Sequence, residues 1–177
     1  GPVWHLNAGV AISILQFSKV VIEHCLFRHN LAGSPTDHIP IGGALYLFKS
    51  NAHIRQNTFY NNRAYSGGAI YMDESDPIFR GNLITENYAV DGSGIAMGRI
   101  SNPRFEEDRF IQNSAENLGG ALLFFGPSIV HCEHIQFIGN IANWGGGIGL
   151  MGGELQANAC LFKENHANTW GGGIAGD

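Results

Sequence analysis

Charged residues are scarce in this sequence, and they do not cluster. Lys, Arg, Asp and Glu make up 14 % of the 177 residues, and the ten basic residues are scattered along a chain of net charge −5. A nucleic-acid-binding surface concentrates Lys and Arg to neutralise several phosphates, so we expect no nucleic-acid partner. No run of 18 apolar residues occurs, so we also expect no membrane-spanning helix.

Cysteine is sparse as well. Cys25, Cys132 and Cys160 are an odd number without the spacing of metal ligands, which argues against a disulfide framework. We expect buried free thiols, which behave as small hydrophobic side chains. The first residues show no basic segment followed by an apolar core, so we expect no signal peptide among them, and we expect Gly1-Pro2 to be the scar that a tag-removing protease leaves.

Glycine, by contrast, is abundant, with 25 residues, and it recurs at a regular interval. In six successive units a large apolar residue is followed three positions later by asparagine, and two positions after that by alanine. The apolar and asparagine residues are Phe27 and Asn30, Phe59 and Asn62, Ile84 and Asn87, Phe110 and Asn113, Phe137 and Asn140, and Phe162 and Asn165. A glycine block follows each time, at Gly42-Gly43, Gly67-Gly68, Gly92-Ser93-Gly94, Gly119-Gly120, Gly145-Gly146 and Gly171-Gly172.

These blocks are spaced by 25, 25, 27, 26 and 26 residues, which indicates a solenoid. Helical repeats are excluded because a glycine pair in every unit would break the helices. Short segments rich in Ile, Val and Phe, separated by turns, favour strands stacked in parallel as three-sided coils. We therefore predict an all-β fold, a right-handed parallel β-helix of about seven coils. Because neither end carries a cap, we expect one domain over residues 1–177 that is a fragment of a longer surface protein.

Each repeated residue has a structural role in such a fold. We expect the apolar column to point inward and to stack from coil to coil. The asparagines should adopt the left-handed backbone conformation at a bend and form a ladder of amides. The glycine pairs should turn the next corner. The regularity of the repeat therefore indicates architecture and not a binding site.

The two motifs resemble the repeats of the chlamydial polymorphic membrane proteins, which are defined by F-x-x-N and G-G-A-[ILV]. The second motif is intact at 42–45, 67–70 and 119–122, and the resemblance extends from about residue 9 to 174. It departs from the family pattern where Ile84 replaces the phenylalanine and where three glycine blocks read G-S-G or G-G-G. The resemblance implies the passenger of an autotransporter adhesin, displayed on the outer membrane and associated with virulence.

A column of charged residues gives the first candidate for chemistry. The residues that stand four positions before each member of the apolar column are Glu23, Arg55, Arg80, Glu106, Glu133 and Asn158. The mixture of signs favours a solvated, salt-bridged face. The weaker alternative is a sugar-cleaving site with Glu106, Glu133 and Arg80 as its catalytic residues.

Metal binding finds little support. The acidic segment Asp73-Glu74-Ser75-Asp76 offers carboxylates to calcium, but a solvated turn is the favoured interpretation. His131 and His134 flank Cys132 and Glu133, and on a strand these two histidines face opposite sides. We predict neither a metal nor a cofactor.

Two features break the repeat, and such exceptions often carry function. An insertion over residues 33–40, which contains Asp37 and His38, lengthens the first interval from asparagine to glycine from five or six residues to twelve. A neutral surface loop is the simpler interpretation, and a recognition loop is the alternative. Trp144 and Trp170 each precede a glycine block on adjacent coils. They either rigidify the turn by stacking or form an exposed platform for a sugar or protein.

Three functions remain open from the sequence. The favoured one is a non-catalytic adhesin segment that contacts a protein or glycan on a host or neighbouring cell, with Trp144, Trp170, Asp37 and His38 as binding residues. The second is a fragment of a polysaccharide lyase or glycoside hydrolase. The third is a structural spacer or phage-spike shaft.

Overall fold

The computed structural model describes residues 11–16, 19–33 and 39–177. These residues form 23 short β-strands, numbered β1 to β23 along the chain, which pair only in parallel and build four sheets. A typical coil contributes one strand to each sheet, so the coil has four strand segments and not the three sides that the sequence suggested.

Sheet 1 and sheet 2 are the first two sheets met along the chain. Sheet 1 contains β1 (Ile12–Leu15), β4 (Leu45–Phe48), β7 (Ile70–Asp73), β11 (Ile95–Met97), β15 (Leu122–Phe125), β19 (Ile148–Met151) and β23 (Ile174–Gly176). Sheet 2 contains β2 (Val21–Glu23), β5 (His53–Arg55), β8 (Ile78–Arg80), β12 (Arg104–Glu106), β16 (Ile129–Glu133) and β20 (Glu154–Asn158).

Sheet 3 and sheet 4 complete the coil. Sheet 3 contains β3 (Leu26–Arg28), β6 (Thr58–Tyr60), β9 (Leu83–Thr85), β13 (Arg109–Ile111), β17 (Gln136–Ile138) and β21 (Leu161–Lys163). Sheet 4 contains β10 (Tyr88–Asp91), β14 (Ser114–Leu118), β18 (Ile141–Trp144) and β22 (His166–Trp170). In the first coils, sheet 4 is reduced to isolated bridges such as Leu31 with Arg63.

The stacking of these sheets defines a parallel β-helix. Sheets 2 and 3 have six strands each, and sheet 1 has a seventh strand, β23. The described chain thus makes six coils and opens a seventh, slightly fewer than the seven expected. Neighbouring coils lie about 4.8 Å apart, the spacing of hydrogen-bonded strands.

The apolar column forms the spine of the core, as the repeat predicted. Phe27 stacks on Phe59 with ring centroids 4.9 Å apart, and Phe137 stacks on Phe162 at 4.7 Å. Ile84 takes its place in register between Phe59 and Phe110. A second stack, which the repeat did not reveal, pairs Phe79 with Phe105 at 4.8 Å in sheet 2. Burial of these rings supplies much of the folding free energy, at about 25 cal/mol per Å² of apolar surface.

The asparagines form the expected ladder, but they are not the left-handed residues. Asn62, for example, accepts hydrogen bonds from the backbone N–H of Asn30 at 3.1 Å and from its side-chain amide at 2.8 Å. Asn62 also donates to the carbonyl oxygen of Phe27 at 3.0 Å. The positive φ belongs to the residue before each asparagine, as at Asn61 with φ 50°. The prediction of left-handed asparagine was wrong because the ladder needs the amide buried, and the preceding residue makes the bend.

Two further ladders fix the other corners. Between sheets 2 and 3, Asn57 accepts from the backbone of Cys25 at 2.9 Å, and Asn82 accepts from Asn57 at 3.0 Å. At the end of sheet 1, the serine hydroxyl oxygens accept from backbone N–H groups of the preceding coil, each at 3.1 Å; these serines are Ser75, Ser101 and Ser128. Most buried polar groups at these corners are therefore paired from coil to coil, and Asp108 Oδ2 is an exception.

The glycine pairs turn the corner between sheet 4 and sheet 1, as predicted. The first glycine of each block has a positive φ of 60° to 68°. The second lies against the next coil, so that a Cβ atom on Gly120 would overlap the carbonyl oxygen of Gly146. The corner therefore requires both properties of glycine, its left-handed conformation and its lack of a side chain.

Candidate functional site

The charged column of sheet 2 has the register that the sequence predicted. Glu23, Arg55, Arg80, Glu106, Glu133 and Asn158 are Cα partners on successive strands. The Arg55 Nε atom lies 2.6 Å from a Glu23 carboxylate oxygen, and Arg80 Nε lies 3.8 Å from Glu106. The column is therefore a salt-bridged outer face, which is the interpretation that the sequence favoured.

The three residues of the catalytic alternative, Glu106, Glu133 and Arg80, lie side by side within this column. Glu106 pairs with Glu133 on one side and with Arg80 on the other. The side chains of Arg80 and Glu133 are 62 % and 51 % exposed. Both groups therefore stand exposed on the outer side of sheet 2, and Glu106 between them is 28 % exposed.

The two tryptophans are neighbours, but they are unequally exposed. Trp144 is the Cα partner of both Leu118 and Trp170. Trp170 is 71 % exposed, whereas Trp144, which has a coil on either side, is half-buried. The seven ring pairs in the described part of the chain do not include these two. Of the two interpretations, stacking of these rings is not found among the described ring pairs, and the exposed platform is complete only at Trp170.

Trp170 belongs to a wider exposed surface on sheet 4 and the bridges that extend it. We call this surface the sheet 4 face, and its residues are Leu31, Arg63, Tyr65, Tyr88, Ile141 and Trp170. Leu31, Tyr65 and Ile141 are 63 %, 42 % and 45 % exposed. The sequence repeat did not single out this face because its outward positions vary from coil to coil.

Polar contacts hold part of the sheet 4 face in place. The Arg63 guanidinium lies 4.4 Å from the centroid of the Tyr88 ring, within cation–π range. The Tyr88 hydroxyl donates a hydrogen bond to the Glu116 carboxylate. That bond is the main reason why the pKa of Tyr88 is raised, and partial burial adds to it. The Arg63, Tyr88 and Glu116 side chains thus form a chain across three coils.

The insertion of the first coil joins the same face. Asp37 and His38 lie outside the described residues. At its end, the Pro40 carbonyl oxygen accepts hydrogen bonds from the backbone N–H groups of Tyr65 at 3.0 Å and Ser66 at 3.4 Å. Ile39 beside it is 59 % exposed. Ile39 and Pro40, at the end of the insertion, therefore lie at the edge of the sheet 4 face.

The acidic segment that begins at the end of β7 is partly paired and partly solvated, whereas the sequence favoured a solvated turn. Glu74 contacts Lys49 at 3.2 Å and Arg99 at 2.8 Å, and these contacts lower the pKa of Glu74. Asp73 is buried, and its Oδ1 atom accepts the Arg99 backbone N–H at 2.6 Å. Burial raises the pKa of Asp73, although the hydrogen bond and the charge of Arg99 oppose this effect. The expected solvation thus holds for Asp76, which is exposed, but not for Asp73, whose carboxylate accepts the Arg99 N–H.

The described residues contain no group of three or more His, Cys, Asp or Glu side chains that could hold a metal. Cys132 is buried between a half-buried His131 and an exposed His134. The three thiols are free, but only Cys132 is fully buried; Cys160 is half-buried and Cys25 is exposed. Burial of all three was expected, and Cys25 and Cys160, which lie beside the first and the last strand of sheet 3, depart from it.

Comparison with known proteins bears on the fold. The family described as the right-handed β-helix region matches residues 4–175. The chain belongs to this family. Curated proteins and solved structures yield no match to the chain. Along the part of the β-helix that the structure describes, no helix has the length and apolar character needed to span a membrane.

Proposed function

We propose that this β-helix is a non-catalytic, surface-displayed segment of an adhesin, and that its sheet 4 face contacts a protein or glycan of another cell. The observation that carries the proposal is a pair of exposed aromatic side chains, Tyr65 at 42 % on an inner coil and Trp170 at 71 % on the last coil. Soluble proteins bury most of their tryptophan surface, and exposed aromatic groups are enriched at contact sites.

The surroundings of Trp170 support a contact surface. Leu31, Tyr65 and Ile141 add exposed apolar area along the same face. The cation–π pair of Arg63 with Tyr88 restrains two side chains that are typical of binding hot spots. Side chains that are already ordered lose less conformational entropy when a partner binds.

The repeat motifs support display on a cell surface. The F-x-x-N and G-G-A-[ILV] pairs resemble those of chlamydial polymorphic membrane proteins, which are autotransporter adhesins. We infer that the full-length protein is secreted or anchored in an outer membrane, and that this region is part of its passenger. The architecture suits the role, because a stack of coils presents a long, rigid flank to a partner.

Adhesion of coated beads to cultured cells tests the proposal. Beads that carry the protein should bind more cells than beads coated with albumin. Trp170→Ala and Tyr65→Ala should each reduce binding at least several-fold, because truncation of an aromatic hot spot costs about 2 kcal/mol or more. Arg80→Ala on sheet 2 is the control, since it removes a large side chain that is 62 % exposed from another face.

The outcomes separate the candidates. Each variant must first keep the thermal unfolding midpoint of the unmodified protein, which shows that the coil is intact. Binding that is lost in the sheet 4 variants and kept in Arg80→Ala supports the adhesin. Binding that survives both sheet 4 variants, or no binding to any cell type, would overturn the proposed face and favour the structural spacer.

A second candidate rests on the adjacency of Glu106 and Glu133, which face the same side of sheet 2 beside Arg80. Most glycoside hydrolases use a pair of carboxylates, one on either side of the bond that is cleaved. Release of reducing ends from a panel of polysaccharides, abolished by Glu106→Gln, would support it. Absence of cleavage across the panel would remove this candidate.

A further inference from the structure

A cleft opens at the corner where three strands of sheet 1 end. We call it the corner cleft, and its main lining residues are Tyr71, Asp73, Arg99, Ile100, Phe125 and Pro127. It is a groove of about 640 Å³ that is open to solvent along one side. It lies on coils three to five, on a different sheet from the sheet 4 face.

The cleft arises from a change in corner length. Two residues separate Met72 from Ser75, whereas three separate Met97 from Ser101. The serines stay in register through their ladder, with 3.1 Å from the Ser75 N–H to the Ser101 hydroxyl oxygen. The additional residue must therefore bulge outward. Arg99 and Ile100 form this bulge, and the next coil repeats it with Gly126 and Pro127.

Polar groups converge on the floor of the cleft at Gly98. A Cβ atom on this glycine would overlap the Tyr71 hydroxyl and would lie 2.9 Å from Asp73 Oδ1. The missing side chain thus lets a hydroxyl and a carboxylate face the same space. The side chain of Asp73 is 13 % exposed, while that of Arg99 at the rim is 69 % exposed.

Behind the floor lies a hydroxyl group with an unmet hydrogen bond. Tyr46 is the Cα partner of Tyr71, and the two rings lie 6.1 Å apart. Tyr46 is 2 % exposed, and its hydroxyl has no hydrogen-bond partner. Burial raises the pKa of Tyr71 to about 12, and Asp73 adds to the effect. Both tyrosines are therefore neutral and available as hydrogen-bond donors near Asp73.

Charge and shape together select the ligand class. Two cations, Lys49 and Arg99, balance the two carboxylates of Asp73 and Glu74. Since these four charges pair with one another, together they offer an ionic ligand no net charge. Ile100, Phe125 and Pro127 offer apolar walls above the polar floor. A neutral sugar ring matches both parts, with C–H faces for the walls and hydroxyls for the carboxylate and guanidinium.

We propose that the corner cleft binds one residue of a neutral glycan. The Asp73 carboxylate and the Arg99 guanidinium bond the sugar hydroxyls, while Phe125 and Pro127 pack on the ring. This site is independent of the sheet 4 face, so either can fail without the other. No bond is made or broken in the cleft, because the contacts serve recognition alone.

Binding to immobilised glycans tests this site. The probes are oligosaccharides that end in glucose, galactose, mannose or N-acetylglucosamine, beside sialylated and sulfated counterparts. The protein should bind at least one neutral probe at millimolar concentration or below. In ¹⁵N-labelled protein, the same probe should shift the amide signals of Gly98 and Arg99 most. Binding of no neutral probe, or shifts confined to other coils, would overturn the proposal.

Two variants locate the contact. Phe125→Ala removes a wall, and Asp73→Asn keeps the shape of the floor while it changes a carboxylate into an amide. Each should weaken binding of the neutral probe about tenfold or more. Trp170→Ala should leave it unchanged, and this variant separates the cleft from the sheet 4 face. If Phe125→Ala does not fold, Asp73→Asn decides. Affinity that is unaltered by Asp73→Asn, or preference for sulfated probes, would refute the neutral-glycan site.

Discussion

Asp108 occupies, one coil further along, the ladder position that Asn82 holds in the corner between sheets 2 and 3. Its Oδ1 atom accepts hydrogen bonds from the backbone N–H of Asn82 at 2.7 Å and from the Asn82 amide at 2.8 Å. Its Oδ2 atom is buried and has no partner. An asparagine at this position would instead donate to a carbonyl, as Asn82 does to Ile54 at 2.7 Å.

This substitution within the ladder predicts an unusual pH dependence. Burial raises the pKa of Asp108 to about 7. The hydrogen bonds from Asn82 oppose this effect, and the charge of Glu106 adds to it. The folded state therefore binds the proton more tightly than the unfolded chain does. The stability that this group contributes is complete below about pH 4 and is lost as the pH rises to about 7.

Asp108→Asn should therefore stabilise the protein at alkaline pH. We expect the gain in the free energy of unfolding to be on the order of 4 kcal/mol at pH 8 and to shrink to under about 2 kcal/mol at pH 5. Urea denaturation at both pH values measures it. Glu133→Gln is the control, because it removes an exposed carboxylate from the neighbouring sheet. An equal gain at both pH values would refute the assignment of this titration to Asp108.

The central asparagine of the other ladder should be costly to remove. Asn113 is fully buried and accepts from the Asn87 N–H at 3.1 Å and from its amide at 2.9 Å. Asn113→Ala leaves these donors and the Ile84 carbonyl without partners, at a cost of about 3 kcal/mol or more. Asn158→Ala, on the exposed side of sheet 2, should change the free energy of unfolding by less than about 0.5 kcal/mol. Equal effects in urea denaturation would contradict a structural role for the ladder.

The asparagine column could be predicted from sequence because one residue type serves that position in every coil. The corner between sheets 2 and 3 escaped detection, since its inner position passes from Cys25 through Asn57 to Asp108 and then to Ile135. Several residue types fit the interior at this position, so no single one recurs there to reveal the corner in the sequence. The left-handed residues escaped for a similar reason: several side chains adopt that conformation at moderate cost, from His24 to Ala159.

Sites on the surface were harder to predict than the core. The register of the charged column followed directly from the repeat, because the repeat fixes the phase of every strand. The corner cleft depends instead on one additional residue in a corner, which makes Arg99 and Ile100 bulge outward. That bulge becomes a cleft only when coils of different length are stacked. The exposure of Trp144 likewise depends on the coils that flank it, which its own sequence motif does not encode.

The three thiols should differ in reactivity with a disulfide reagent at pH 8. Cys25 is exposed and should react fastest, with Cys160 slower. Burial raises the pKa of Cys132 well above its usual range, so this thiol should react only after denaturation. Cys25→Ser should remove the fast phase, and Cys132→Ser should leave the native reaction unchanged. Rapid modification of Cys132 in the folded protein would show that the fifth coil opens.

The glycine pairs predict a sharp contrast between two alanine substitutions. A Cβ atom on Gly120 would overlap backbone oxygens of the next coil at Gly146 and Ile141, and backbone cannot yield as a flexible side chain can. Gly33 has no atom within 4 Å of such a Cβ. Gly120→Ala should therefore cost more than about 4 kcal/mol or prevent folding, whereas Gly33→Ala should leave the free energy of unfolding within about 0.5 kcal/mol of its original value. Soluble yield and urea denaturation measure both. A folded Gly120→Ala protein of unaltered stability would mean that the coils do not approach as closely at this corner.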